Sequence, residues 1–194
     1  MARTSKMTNS KRGGFFRCAF SGESGTELLE LALVLPLLMV MLIGIVDFGE
    51  AWALKDKLSG AARDGARAAI ANFNDTMNPQ CPAATPCSVQ AAAGAAIAAL
   101  NNAGVNTCGL DPSTTAPVAG TFTWTYTAAC ANPLTIEIER AVPEVVDGTT
   151  SLCTRVTLTY PYSWTFSNMA GLLGNRFVTS TITLSGAEMM ANLN

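Results

Sequence analysis

Glu30 is the side chain whose position asks for chemistry. It is an ionisable carboxylate near the start of an otherwise apolar run, Leu28 to Val46, in which only Glu30, Pro36 and Gly44 are not strongly apolar or alanine. A carboxylate costs roughly 2.5–3.5 kcal/mol at mid-bilayer and less near the interface, so it normally has a partner and a purpose there. The plainer reading is that Glu30 sits one turn inside and reaches back to the headgroups. Gly25 lies five residues earlier, and a peptidase cutting after it would free an α-amine on Thr26, one helical turn from that carboxylate. Arg3, Lys6, Lys11, Arg12 and Arg17 precede the cut, so the chemistry suggested is proteolytic release of an amine that then pairs with Glu30.

The element that positions these residues is a helix. A span needs about 20 apolar residues to cross ~30 Å of hydrocarbon, which Leu28–Val46 supplies. Bilayer helices tolerate Gly44 and Pro36, with a kink expected near Pro36. The cations at residues 1–24 put this end in the cytoplasm and everything after Val46 outside. Past the bilayer, Leu54, Leu58, Ala61, Gly65 and Ala69 recur on one narrow helical face, small enough for another element to approach its backbone closely. A secretory signal peptide is the rival, with Ala51-Trp52-Ala53 as a small-x-small site, but the apolar run is too long for a signal core and contains Glu30.

The basic leader, Gly25, and the glutamate at the fifth position after it resemble a type IV prepilin. More narrowly, Glu30-Leu31-Ala32-Leu33-Val34-Leu35-Pro36, Gly44-Ile45-Val46-Asp47-Phe48-Gly49 and Ala62-Arg63-Asp64-Gly65-Ala66-Arg67 together resemble the TadE-like family of minor pseudopilins of the tight-adherence pilus system. The likeness covers about residues 22–70, and Leu31 stands where family members usually carry an aromatic residue. It implies a structural subunit whose partners are a prepilin peptidase, other pilus subunits, inner-membrane platform proteins and the lipid bilayer. It also implies single-pass placement in the bacterial cytoplasmic membrane, with the C-terminal part exported.

The helix is expected to fade near Ala71-Asn72, ahead of Asn74-Asp75, Asn78-Pro79, Pro82 and Pro86. Ser88 offers an N-cap for an alanine-rich helix from Val89 to about Asn102, with Gly104 as its stop. After Thr107 the pattern turns to period two. Phe122, Trp124 and Tyr126; Leu134, Ile136 and Ile138; and Val156, Leu158 and Tyr160 each alternate with polar residues. A fourth strand is expected over Phe177–Leu184. The fold class is therefore α+β: a long N-terminal membrane-spanning helix continuing into a small exported, pilin-like domain with an antiparallel sheet of about four strands and a second helix. One sheet face should lie on the helix and the other toward solvent. The organisation expected is a leader at residues 1–25, the TadE-like helix at 26–73, and an exported domain at 74–194.

Of the six cysteines, Cys81, Cys87, Cys108, Cys130 and Cys153 follow the span, and in an oxidising compartment they are disulfide candidates. Cys81–Cys87 and Cys108–Cys130 are natural pairings that leave Cys153 free and buried. Cys130–Cys153 is the competing choice. The chain has no histidine and no CxxC, so no metal site is expected. Nor is there a Ser-His-Asp or Cys-His arrangement or a phosphate-binding glycine loop, and Glu137 and Glu139 read as a solvated strand face beside Arg140. No enzymatic activity and no cofactor are expected. With a net charge of −2, and no basic surface left once the five leading cations are set aside, the chain is not expected to bind nucleic acid. The alternative function is an uncleaved, single-pass membrane-anchored binding domain that never enters a pilus.

Overall fold

A computed structural model of the chain describes residues 22–71, 85–146, 148–164 and 181–191. It divides into two compact units, Met1–Leu42 and Ile43–Asn194. Helix α1, Gly22–Ala71, runs through Pro36 without interruption and ends where the turn-forming residues were expected to stop it. Helix α2 covers Cys87–Asn102. Five strands follow: β1 (Val118–Ala119), β2 (Thr123–Thr127), β3 (Thr135–Val146), β4 (Thr149–Ser163) and β5 (Thr181–Ala191). They form one antiparallel sheet in the order β1-β2-β3-β4-β5, a simple meander.

In the Met1–Leu42 unit, every described side chain from Gly25 to Leu42 is exposed, including Leu28, Leu33 and Leu37. Over this length α1 is long and apolar enough to cross a membrane. An apolar helix with no protein around it has its hydrophobic surface left for lipid or for other helices.

In the Ile43–Asn194 unit, α1 and α2 cover one face of the sheet. Strand alternation sets that face: Ile136 pairs with Tyr126 and Leu158, Ile138 with Trp124 and Val156, and all but Trp124 are fully buried. The opposite face carries Thr123, Thr125, Thr127, Glu137, Glu139, Arg155, Thr157 and Thr159, with Arg155 3.1 Å from Glu139. The α1 face predicted from spacing is the one used. Leu58, Ala61, Gly65 and Ala69 are buried and Leu54 packs against the core, joined by Ala62 and Ala66.

Two glycines explain how the layers close. A Cβ on Gly186 of β5 would lie 2.5 Å from the Ser59 nitrogen and 2.6 Å from the Leu58 carbonyl carbon. β5 therefore touches the α1 backbone directly. At Gly65 a Cβ would meet the Ala92 carbonyl oxygen at 3.0 Å, the Ala96 Cβ at 3.3 Å and a Val156 methyl at 3.4 Å, so α1, α2 and β4 converge there. The alanines of α2 that face this point, Ala92, Ala93 and Ala96, are fully buried. Their small size permits the approach that larger side chains would prevent.

The structure corrects several local expectations. The N-cap position of α2 is Pro86, without a side-chain cap bond, and Ser88 lies buried inside the helix. Proline at this end loses nothing, because the first N–H groups of a helix have no internal partner. Gly104 (φ +73°) does close the helix, its N–H donating to the Asn101 carbonyl. Phe122 lies just before β2, exposed and at φ +59°, instead of continuing the strand's alternation. The last strand starts at Thr181 and runs on to Ala191; residues 177–180 of the expected Phe177–Leu184 strand lie outside the described residues. β1 is an additional short strand, and β3 and β4 extend to a tight hairpin where Val146 pairs with Thr149. Gly148, before Thr149, takes a positive φ.

Cys108 and Cys130 are bonded, with Cα atoms 6.2 Å apart, which ties the segment after α2 to the β2–β3 connection. Cys153 is free and buried, so the Cys130–Cys153 alternative is excluded. Cys87 is disulfide-bonded. Cys81 and the loop through Asn78-Pro79 lie outside the described residues.

Two stability predictions follow from this packing. Gly186→Ala pushes a methyl into backbone that cannot yield, and should lower stability by about 2–3 kcal/mol. Gly60→Ala, on the open side of α1 with nothing within 4 Å of its would-be Cβ, should instead raise it by about 0.5–1 kcal/mol. Denaturation of the detergent-solubilised chain measures both. A third prediction concerns Tyr126, which is fully buried with no hydrogen-bond partner for its hydroxyl among the described residues. Burial pushes that hydroxyl's pKa up to about 12. Because the folded value lies above the unfolded one near 10, its contribution is complete below pH ~10 and is lost as pH rises through the folded value. Tyr126→Phe should be as stable as the parent or more so at neutral pH, and should lose less stability between pH 9 and 12.

Candidate functional site

Gly25, Thr26 and Glu30 lie in the early turns of α1, all exposed. Helical geometry sets Thr26 and Glu30, four residues apart, on the same face one above the other. The Gly25–Thr26 bond thus precedes the apolar run by a single turn, and Glu30 is exposed among the described residues. Leu28 and Pro36 are equally exposed, as is Val46, which belongs to the Ile43–Asn194 unit.

A second feature lies where α1 enters the Ile43–Asn194 unit. Asp47, immediately after the apolar run, is only 3% exposed. The hydroxyl of Tyr162, near the end of β4, donates to the Asp47 carbonyl oxygen at 3.3 Å. Desolvation, then the charges of Asp47 and Glu50 and a hydrogen bond to Glu50, raise the Tyr162 pKa above its ordinary value. The neutral, donating form is favoured as a result. Tyr162 in turn meets Trp164 edge to face, with ring centroids 5.3 Å apart. Tyr162 and Trp164 are therefore structural material where β4 meets α1. Phe166 lies outside the described residues.

Sequence reasoning quoted Asp47 but assigned it no role. Its one-residue distance from the last apolar position was the available signal; the Tyr162 partner, 115 residues away, had none.

Farther along α1, Glu188 of β5 accepts from Ser59 Oγ and from the Arg63 guanidinium, each at 3.2 Å. With Arg63 mostly exposed, that pair contributes little on its own. It instead sets the register of β5 on the helix beside Gly186. A cleft of about 310 Å³ is lined by Leu54, Lys57, Asn106, Asn132, Tyr160 and Tyr162. Among the described residues its lining includes one cation, Lys57, and no carboxylate. Glu137 shares its strand face with Glu139, which is engaged by Arg155. Among the described residues, no group of three or more acidic or cysteine side chains is placed to hold a metal ion.

The chemically suggestive residues therefore do not converge on a pocket. They are distributed along one helix, with exposed processing and apolar positions at its start, a buried acidic residue at the transition, and a small-residue face packed into the domain. No curated protein and no solved structure gives a significant match to the chain. A family profile described as TadE-like protein matches residues 25–67, from the glycine at the expected cut to the last arginine of the Ala62–Arg67 motif. Over that helix, the chain is similar to the TadE-like family.

Proposed function

We propose that this protein is a structural, non-enzymatic minor pseudopilin of a tight-adherence pilus system. A prepilin peptidase cuts after Gly25, and the mature chain is assembled through α1 with other pilus subunits and inner-membrane platform proteins. The exported domain then serves pilus assembly and surface adherence. The observation that supports this most is the match of residues 25–67 to one helix, exposed at every described residue from Gly25 to Leu42 and packed into a domain from Asp47 onward. The N-terminus stays in the cytoplasm and the domain lies outside.

In this reading the new amine of Thr26 lies one turn from Glu30. The carboxylate accepts it, from its own chain or from a neighbour, and the charge that is costly in lipid is neutralised only after the leader is gone. Processing thereby licenses assembly.

The same packing weighs against release of the domain by a cut after Ala53. Asp47 and Ala51 are buried in the Ile43–Asn194 unit, and Tyr162 is bonded to the Asp47 carbonyl, so that cut would remove part of the domain's own packing. The remaining rival is a plain uncleaved tether.

N-terminal sequencing and intact mass of the protein from its own membranes separate these readings. A start at Thr26 is expected; an intact Met1 would favour the tether, and a start at Leu54 a secreted domain. Glu30→Gln should insert normally yet lose incorporation into the pilus machinery. Normal pilus formation by this variant would remove the pairing mechanism.

A further inference from the structure

At the point where α1 meets the domain, its two sides differ. Asp47, Ala51 and Leu58 are buried, with Leu54 packed beside them. On the other side Phe48 is 62% and Trp52 64% exposed, their rings 6.3 Å apart, and the Lys55 ammonium lies 6.0 Å from the centre of the Trp52 ring. These three occur at i, i+4 and i+7, one above another on the helix. The exposed apolar surface therefore does not stop at Val46, where the hydropathy of the sequence falls. It continues for nearly two turns on the side that the domain leaves uncovered.

We infer that Phe48, Trp52 and Lys55 form an interfacial anchor that sits in the phospholipid headgroup layer, bringing the base of the exported domain onto the membrane surface. This rests on the membrane-span reading of α1 and adds to it where the bilayer ends and which side of the helix faces lipid.

Length supports the assignment. At 1.5 Å per residue, Leu28 to Val46 covers about 28 Å, close to the hydrocarbon thickness. Leu28 to Trp52 covers about 37 Å, which places Trp52 roughly 7 Å past the ~30 Å of hydrocarbon, in the outer part of the roughly 5–7 Å headgroup layer on that side. Residue chemistry agrees. An indole is favoured at this depth because its body is apolar and its N–H polar, and a lysine stem follows apolar surface while its ammonium stays at the phosphates. A recess of about 200 Å³ is lined by Trp52, Lys55, Asp56 and Ser59. It offers a cation and an anion beside a ring, which complements a zwitterionic headgroup better than it does an apolar helix. A protein occupant would have to bury Lys55 and Asp56 at a desolvation cost that headgroups do not impose.

The full chain, reconstituted in phosphatidylcholine vesicles brominated either near the ester end or near the chain end of the acyl groups, provides the test. Trp52→Phe alters only an exposed side chain, so the difference between parent and variant isolates the Trp52 emission without disturbing Trp124 or Trp164. Leu38→Trp in the Trp52→Phe background reports on the centre of the span. Trp52 emission should be quenched most by ester-end bromine, and the Leu38→Trp emission most by chain-end bromine. Chain-end quenching at position 38 with no lipid quenching of Trp52, or with Trp52 quenched most at the chain ends, would leave the span standing and overturn the anchor. Absence of lipid quenching at both positions would overturn the span and the anchor together.

Discussion

The fold depends on one close approach, that of the β5 backbone at Gly186 to the α1 backbone at Leu58 and Ser59. A sheet usually meets a helix through two layers of side chains. Here one layer is missing at the crossing point, and Leu58, fully buried, fills the space on either side of it. Gly186 is the central residue of β5, the edge strand, and pairs with Leu158 of β4, so the contact joins the middle of that edge strand to the middle of the packed length of α1. Gly65 repeats the arrangement farther along, between α1, α2 and Val156. Many small residues on both helices are thus required by distance, and a composition rich in alanine and glycine is a direct consequence of the packing.

The same helix carries two kinds of surface. Through Leu42 it presents apolar side chains in every direction, and from Asp47 it has an inside and an outside. Polar groups mark the change of role: a buried carboxylate-bearing residue, a tyrosine hydroxyl on its carbonyl, and then the Ser59–Arg63–Glu188 cluster at the β5 contact. These ties hold α1, from Asp47 onward, to strands β4 and β5. The Tyr162 hydrogen bond and the Gly186 contact lie on the same side of α1 as its buried residues, leaving the Phe48–Trp52–Lys55 side uncovered.

Much of this was legible in the sequence, for identifiable reasons. A run such as Leu28–Val46 reports itself through composition alone, and the face from Leu54 to Ala69 through a 3.6-residue period, both local properties of the chain. Ile136, Ile138, Val156 and Leu158 alternate with threonine and charge because one sheet face is covered and the other is not. The Cys108–Cys130 pair was one of two open choices, and loop ends that must meet in space decided it. The misreadings lay at element ends. Ser88 has the side chain of a cap but its helix begins earlier, and Phe122 has the side chain of a strand but a backbone of the opposite hand. At such positions local preference is weak, and the packing of neighbouring elements prevails.

The sequence by itself determined the helix that carries Gly25, Thr26 and Glu30, its apolar length, and its TadE-like character over residues 25–67. Those properties are written in consecutive residues and need no distant partner. The tertiary structure alone decided that Gly186 lies on Leu58, that Tyr162 meets Asp47, that Cys153 stays a free thiol, and that one side of α1 between Phe48 and Lys55 is left exposed. Each of these depends on segments more than a hundred residues apart, or on which cysteine reaches which. Only the closed sheet and the helix lying on it bring such residues together.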